Sequence, residues 1–240
     1  MTNDPSNDLP FRAWQAAYKG EPVGRDPLRV VQECLEAGMD IDARAWPNGG
    51  PTALDGALYG EGGARMDIVR FLLDAGADPN AYGYEDGTML MAASLLSNVE
   101  AVELLLARGA DPNRTHPATL EGPLHYVTAK GFAKDSNQAA RLLLEADADP
   151  NARAAVGIAT TVYYRDINVI GETPLHRAAA YCDGEMIDML VDAGGDPSIK
   201  DAHGESPLTW YSRHQRGVDH VKVARSCAKR LAYGEWVDRV

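Results

Sequence analysis

The sequence predicts an all-α protein built from repeated helix pairs, and three observations carry that prediction. A short block recurs five times, as GMDIDA at 38–43, GADPNA at 76–81, GADPNR at 109–114, DADPNA at 147–152 and GGDPSI at 194–199, with start-to-start spacings of 38, 33, 38 and 47 residues. Each block follows an apolar run with helical spacing: VVQECLEA, IVRFLLDA, AVELLLAR, AARLLLEA and MIDMLVDA. A second series, TALD (52–55), TMLM (88–91), GPLH (122–125), TPLH (173–176) and SPLT (206–209), opens another helix in each period. Self-similarity at such a period is the mark of stacked supersecondary units.

Each element of the period has a local cause. Thr52, Thr88, Thr173 and Ser206 are placed as N-caps, where a hydroxyl satisfies an orphan backbone N–H. Pro123, Pro174 and Pro207 follow at the first helical position, where a missing N–H costs nothing. Small pairs such as Ala92-Ala93 and Ala178-Ala179 let neighbouring helices approach closely. The second helix presents Leu, Val and Ile on one stripe, for burial. Gly38, Gly76, Gly109 and Gly194 end it in the left-handed conformation. Asp147 replaces the glycine in one period, at some cost. Pro79, Pro112, Pro150 and Pro197 then stop the helix from continuing.

Residues 171–200, GETPLHRAAAYCDGEMIDMLVDAGGDPSIK, closely resemble one ankyrin repeat, and residues 87–114 and 122–152 are nearly as good a match. The combination of T-P-L-H, the small pair and G-A-D-P-N at this spacing is specific, and it covers almost the whole chain. The resemblance implies an all-α repeat solenoid: two antiparallel helices per unit, with a β-hairpin finger projecting between units. About six repeats are expected in a single domain over 1–240. They run from an N-terminal cap at about 9–43 through 44–81, 82–114, 115–152 and 153–200 to a C-terminal cap at about 201–234. The last helix carries Ser226, Lys229 and Arg230, as a capping unit with a wet outer face should.

Three places exceed a 33-residue period: YGEGGAR (59–65) and KGFAKDSNQ (130–138), each read as a loop between the helices of a repeat, and the connection at 153–170. The segment TTVYYRDINVI within the last is rich in β-branched and aromatic residues, which favour strand. It predicts one elongated finger at about 153–170 with a turn near Arg165-Asp166. Tyr163, Tyr164 and Arg165 are residue types enriched in interface hot spots, and Asp166 adjoins them. The competing reading is that these tyrosines fold back over an irregular junction.

The family pattern places the two residues after each small pair on the concave side. Here they are Tyr18 and Lys19, Tyr59 and Gly60, Leu95 and Leu96, Ala129 and Lys130, Ala180 and Tyr181, and Arg213 and His214. Trp46, Tyr82 and Tyr84 join them from the fingers. Aromatics with a few cations make a protein-binding surface the expected use. For Leu95 and Leu96 the plainer reading is packing between repeats.

Composition narrows the function classes. Lys and Arg number 23 against 35 Asp and Glu, a net charge of −12, with net +3 over residues 205–240 and −15 over the rest. An acidic body with a mildly basic tail disfavours nucleic acid, which needs a concentrated basic face. Cys34, Cys182 and Cys227 are too few, and odd in number, for a disulfide framework. The acidic start MTNDPSNDLP has no secretory character, and no apolar run approaches a membrane span, so a soluble cytoplasmic monomer is expected.

No metal or cofactor is expected. His125 and His176 hold the H of T-P-L-H, where in similar proteins the ring bridges backbone groups between repeats. His116, His203, His214 and His220 share no metal spacing, EADADPN lacks the calcium-loop pattern, and GEGG at 60–63 lacks the strand and Lys of a phosphate cradle. No nucleophile motif occurs, so no catalytic residue is assigned. The expected function is a non-catalytic module that binds a protein partner through the concave face and the long finger. Ala, Gly, Asp and Arg richness suggests a bacterial source. Bacterial proteins of similar kind include free-standing immunity proteins, so a toxin or effector is one expected partner. An adaptor in a larger complex is the alternative, and a small-ligand sensor or enzyme is the alternative of another class.

Overall fold

The structure, a computed structural model, describes residues 8–20, 25–46, 49–129, 134–160 and 167–214. The chain divides into two compact units, one formed by Met1–Ala93 with Glu103–Asp111, the other by Ser94–Val102 with Pro112–Val240.

The first unit holds α1 (Leu9–Lys19), α2 (Pro27–Glu36), α3 (Ala53–Leu58), α4 (Met66–Asp74) and most of α5 (Met89–Leu96) and α6 (Val99–Ala107). Helix α1 packs on α2 and α3, and α3 packs on α4. The small residues set the spacing: Ala13, Ala16, Ala17 and Ala57 are fully buried, as are Val31 and Leu72. Gly56 marks the closest approach of α3 to α1, since a Cβ there would lie 2.9 Å from both the Trp14 ring and the Trp14 carbonyl oxygen. The α3 cap is a full capping box. The Thr52 hydroxyl accepts from the Asp55 N–H at 3.2 Å, and the Asp55 carboxylate accepts from the Thr52 N–H at 2.7 Å.

The second unit holds the remaining turns of α5 and α6, then α7 (Pro123–Val127), α8 (Lys134–Glu145), β1 (Val156–Thr160), β2 (Ile167–Ile170), α9 (Pro174–Tyr181), α10 (Gly184–Asp192) and α11 (Pro207–His214). Helix α9 packs on α7, α10 and α11, over a core of Leu124, Leu143, Leu175, Met186, Ile187 and Leu190. Burying each such side chain stabilises the fold by about 1.5–3 kcal/mol.

The helix ends follow the sequence closely. Gly38, Gly76, Gly109 and Gly194 all have positive φ, and Asp147 takes the same conformation at φ 64°. Beyond them Met39, Ala77, Ala110, Ala148 and Gly195 donate back to Cys34, Leu72, Leu105, Leu143 and Leu190, the 6→1 bond of a Schellman motif. Asp40, Asp78, Asp149 and Asp196 in the following turns accept from the N–H two residues on, as in Asn80 to Asp78 and Asn151 to Asp149 at 2.8 Å.

Two local expectations are corrected. The segment 130–138 is not a loop throughout, because α8 begins at Lys134. Its polar residues find partners that a sequence window cannot see. Ser136 Oγ lies 2.7 Å from Ser97 Oγ, and the Asn137 side-chain amide donates to Asp183 and Glu185. The cap at Thr173 is also not a hydroxyl-to-backbone bond. The His176 ring takes over, with Nδ1 accepting from the Thr173 N–H at 3.1 Å and lying 2.9 Å from the Thr173 hydroxyl.

Candidate functional site

The outward positions come first. In the pairs after the small residues, the first member is buried at Leu95, Ala129 and Ala180. The second member turns out, with Leu96 39% exposed and Tyr181 half-buried. The pair Tyr59 and Gly60 departs from this. Tyr59 caps α3 half-buried, and Gly60 is buried against the turn that Gly63 closes on it. Lys130, Tyr163, Tyr164, Arg165 and Asp166 lie outside the described residues, as do the side chains of Tyr84, Arg213 and His214.

In the first unit the structure brings two finger segments together through Arg44. Its guanidinium donates to the carbonyls of Gly50 at 3.2 Å and Tyr82 at 2.6 Å. Tyr82 is itself half-buried and bridged to Thr88. Trp46, 43% exposed, sits in an aromatic group that the sequence did not assemble. Its ring lies 5.3 Å from Trp14 and 6.4 Å from Phe11, and Trp14 stacks on Tyr18 at 5.4 Å. Phe11 and Trp14 carry no repeat-level signal, because it is the fold that brings Trp46 to them.

In the second unit the long connection after Asn151 forms the antiparallel pair β1–β2. Val156 pairs with Ile170, Ala159 with Asn168 and Thr160 with Ile167, and a bulge falls at Gly157, whose φ is 76°. Val169 is fully buried, whereas Val156 and Ile158 are 61% and 38% exposed. The strand start is fastened beside the loop before α7, where the Ala155 N–H donates to the Thr119 carbonyl at 2.7 Å. Next to Thr119, Leu120 is 46% exposed and holds a left-handed φ of 55°.

Beneath this base lies a buried ionic cluster. Arg177, on α9, is 4% exposed, and Glu121 and Glu172 are equally enclosed. Arg177 donates from Nε and Nη2 to Glu172 Oε1 at 3.1 and 2.5 Å, from Nη2 to Glu121, and from Nη1 to the His125 carbonyl at 3.1 Å. Burial disfavours the guanidinium charge, yet the two carboxylates outweigh it and raise the Arg177 pKa. The other oxygen of Glu172 accepts from the Ile170 N–H at 2.8 Å.

The two T-P-L-H-type histidines complete the interior. His125 Nδ1 accepts from the Gly122 N–H at 3.2 Å, so Nε2 carries the proton, 3.4 Å from the Glu172 carbonyl. His176 repeats the arrangement toward the Glu205 carbonyl at 3.1 Å. Burial, with the Arg177 charge adding, lowers the His125 pKa to about 3, and burial lowers that of His176. Both rings are structural bridges between successive repeats.

Helix pairs with glycine-closed ends, histidine bridges and outward finger residues define a repeat scaffold. The comparisons agree: the ankyrin repeat model matches residues 86–117 and 170–202. The chain is 35% identical over 94 residues to human cyclin-dependent kinase 4 inhibitor B, covering 39% of this chain and 67% of that protein. The mouse protein of that name is 41% identical over 68 residues, covering 28% of this chain. Human ankyrin repeat and SOCS box protein 16 is 30% identical over 251 residues, covering 85% of this chain. This chain belongs to the ankyrin repeat proteins. It spans about half the length of curated relatives it matches, 52% of the mouse inhibitor and 51% of the SOCS box protein. Among the described residues no helix is long and apolar enough to cross a membrane.

Proposed function

We propose that this chain binds one partner protein through its outward helix positions and through an elongated finger at about 153–170, without catalysing a reaction. The observation that carries the reading is the β1–β2 pair. It exposes Val156 and Ile158 on a base whose polar groups are bonded inside the unit, with Ala155 tied to Thr119, the neighbour of exposed Leu120. Apolar contacts presented on a fixed frame bind with less ordering cost than contacts on a loose segment. Tyr163, Tyr164, Arg165 and Asp166 form the recognition end of this finger. Tyr181, Trp46, Tyr59, Tyr82, Tyr84, Lys130, Arg213 and His214 complete the face, across about six repeats of one domain.

The specific role we propose is inhibition by occlusion: a soluble monomer covers the active surface of its partner, a toxin or effector if the source is bacterial. Alignment with proteins named as cyclin-dependent kinase inhibitors supports that mode of action, though not that target. A second reading, an adaptor in a larger complex, is favoured by the alignment with the SOCS box protein, which covers 85% of this chain. Adding the purified chain to its isolated partner separates the two. Loss of the partner's activity at one equivalent supports inhibition. Full activity in the bound state supports the adaptor.

A further inference from the structure

We infer that the Glu121–Arg177–Glu172 cluster is a positioning device that fixes where the β1–β2 pair leaves the repeat array. Glu121 and Glu172 are the same place in successive repeats, directly before the capping residues Gly122 and Thr173. The place that Arg177 fills is held by Gly56, Ala92, Tyr126 and Trp210 in the four other repeats that carry the capping series. The one buried arginine at this position therefore belongs to the repeat that lies within the longest spacing, the 47 residues from 147 to 194.

Its hydrogen bonds explain the coincidence. The guanidinium joins the residue before the α7 cap, the His125 carbonyl within α7, and the residue before the α9 cap. Glu172 is the pivot. Its carboxylate holds Arg177 on one oxygen and the Ile170 N–H, at the end of β2, on the other. Its carbonyl accepts from the Ala154 N–H at 3.0 Å, just before β1. A single residue thus ties both arms of the strand pair to two consecutive repeats. An apolar residue at 172 would fill the same space and leave the Ile170 N–H without that acceptor. Buried ion clusters of this kind often add no stability over a well-packed apolar set, and the return inferred for this one lies in fixing one geometry. The placement holds whatever the finger contacts; its use in recognition rests on the function proposed above.

Amide hydrogen exchange of the partner-free protein tests the device, so failure of the binding proposal leaves this result readable. In the natural protein the Ile170 amide should be protected as strongly as the α10 amides of Ile187 and Leu190. In the fully apolar replacement, Glu121→Leu with Glu172→Leu and Arg177→Met, the amides of Ala154, Ala155, Ile170 and Gly171 should exchange at least about tenfold faster, while those of α9 and α10 keep their rates. Unchanged protection at the strand base would overturn the inference. So would equal acceleration everywhere, which marks a merely structural cluster. Weak protection of Ile170 in the natural protein would overturn it without recourse to any variant.

Discussion

His125 and Asp42 show how single side chains make stability depend on pH in opposite directions. The folded-state pKa of His125 is lowered to about 3 from an ordinary 6.5. Between those values the unfolded chain binds a proton that the folded chain refuses. Stability from this ring is therefore complete above about pH 6.5 and is lost as pH falls, by about 1.4 kcal/mol per pH unit. Replacing His125→Gln should lower stability at pH 7 and flatten its decline between pH 6.5 and 4.5, read by urea unfolding; an unchanged slope would mean the ring is not the proton acceptor.

Asp42 sits where later repeats have asparagine. Asn80, Asn113 and Asn151 each donate to the carbonyl of the next helix end and accept from the N–H two residues beyond it. Asp42 performs only the accepting half, toward the Asp78 N–H. Burial raises its pKa, with Asp78 and Asp40 adding to the effect. The raised value favours the folded state of the protonated acid, so ionised Asp42 costs stability at neutral pH. Asp42→Asn should supply the missing donor and gain about 0.5–1.5 kcal/mol at pH 7. That gain should shrink below the carboxylate range, where aspartic acid carries its own proton.

At the scale of elements, signals written within a few residues are legible in the sequence and those made by distant chain are not. Caps, prolines and closing glycines act locally, so the repeat reveals the described helices and their ends; the last helix, with Ser226, Lys229 and Arg230, lies outside the described residues. The β-branched run around 160–170 marks β2, because strand preference belongs to the residues themselves, whereas β1 lies ahead of the run except for Thr160. Helix α8 reads short in sequence because Lys134–Gln138 resembles a loop until Ser97, Asp183 and Glu185 are brought to it. The ionic cluster is invisible for the same reason, since Arg177 and Glu121 lie 56 residues apart. Helix α6 tests the register directly. Leu105 is 1% exposed, and Leu105→Ala should cost about 2–5 kcal/mol in chemical denaturation. A negligible loss would place another face of that helix in the core.

At the scale of the whole molecule, the interior and the surface serve different ends. The interior repeats one solution: small residues between helices, histidine bridges, and asparagine clips across the turns. The surface varies that solution between repeats, with Trp46 at one place and the β1–β2 pair at another. A net charge of −12 favours solubility, and under the proposed function it would steer a basic partner surface toward the chain. The central claim, that the chain is a binding module working through its long finger, is tested most directly by capture from source cells. The tagged natural chain is compared with a variant carrying Tyr163→Ala, Tyr164→Ala and Arg165→Ala, with thermal unfolding recorded for both. The account predicts one stoichiometric protein bound by the natural chain and lost from the variant, at unchanged unfolding temperature. A partner retained by the variant, the absence of any stoichiometric partner, or a collapse of the variant's stability would contradict it.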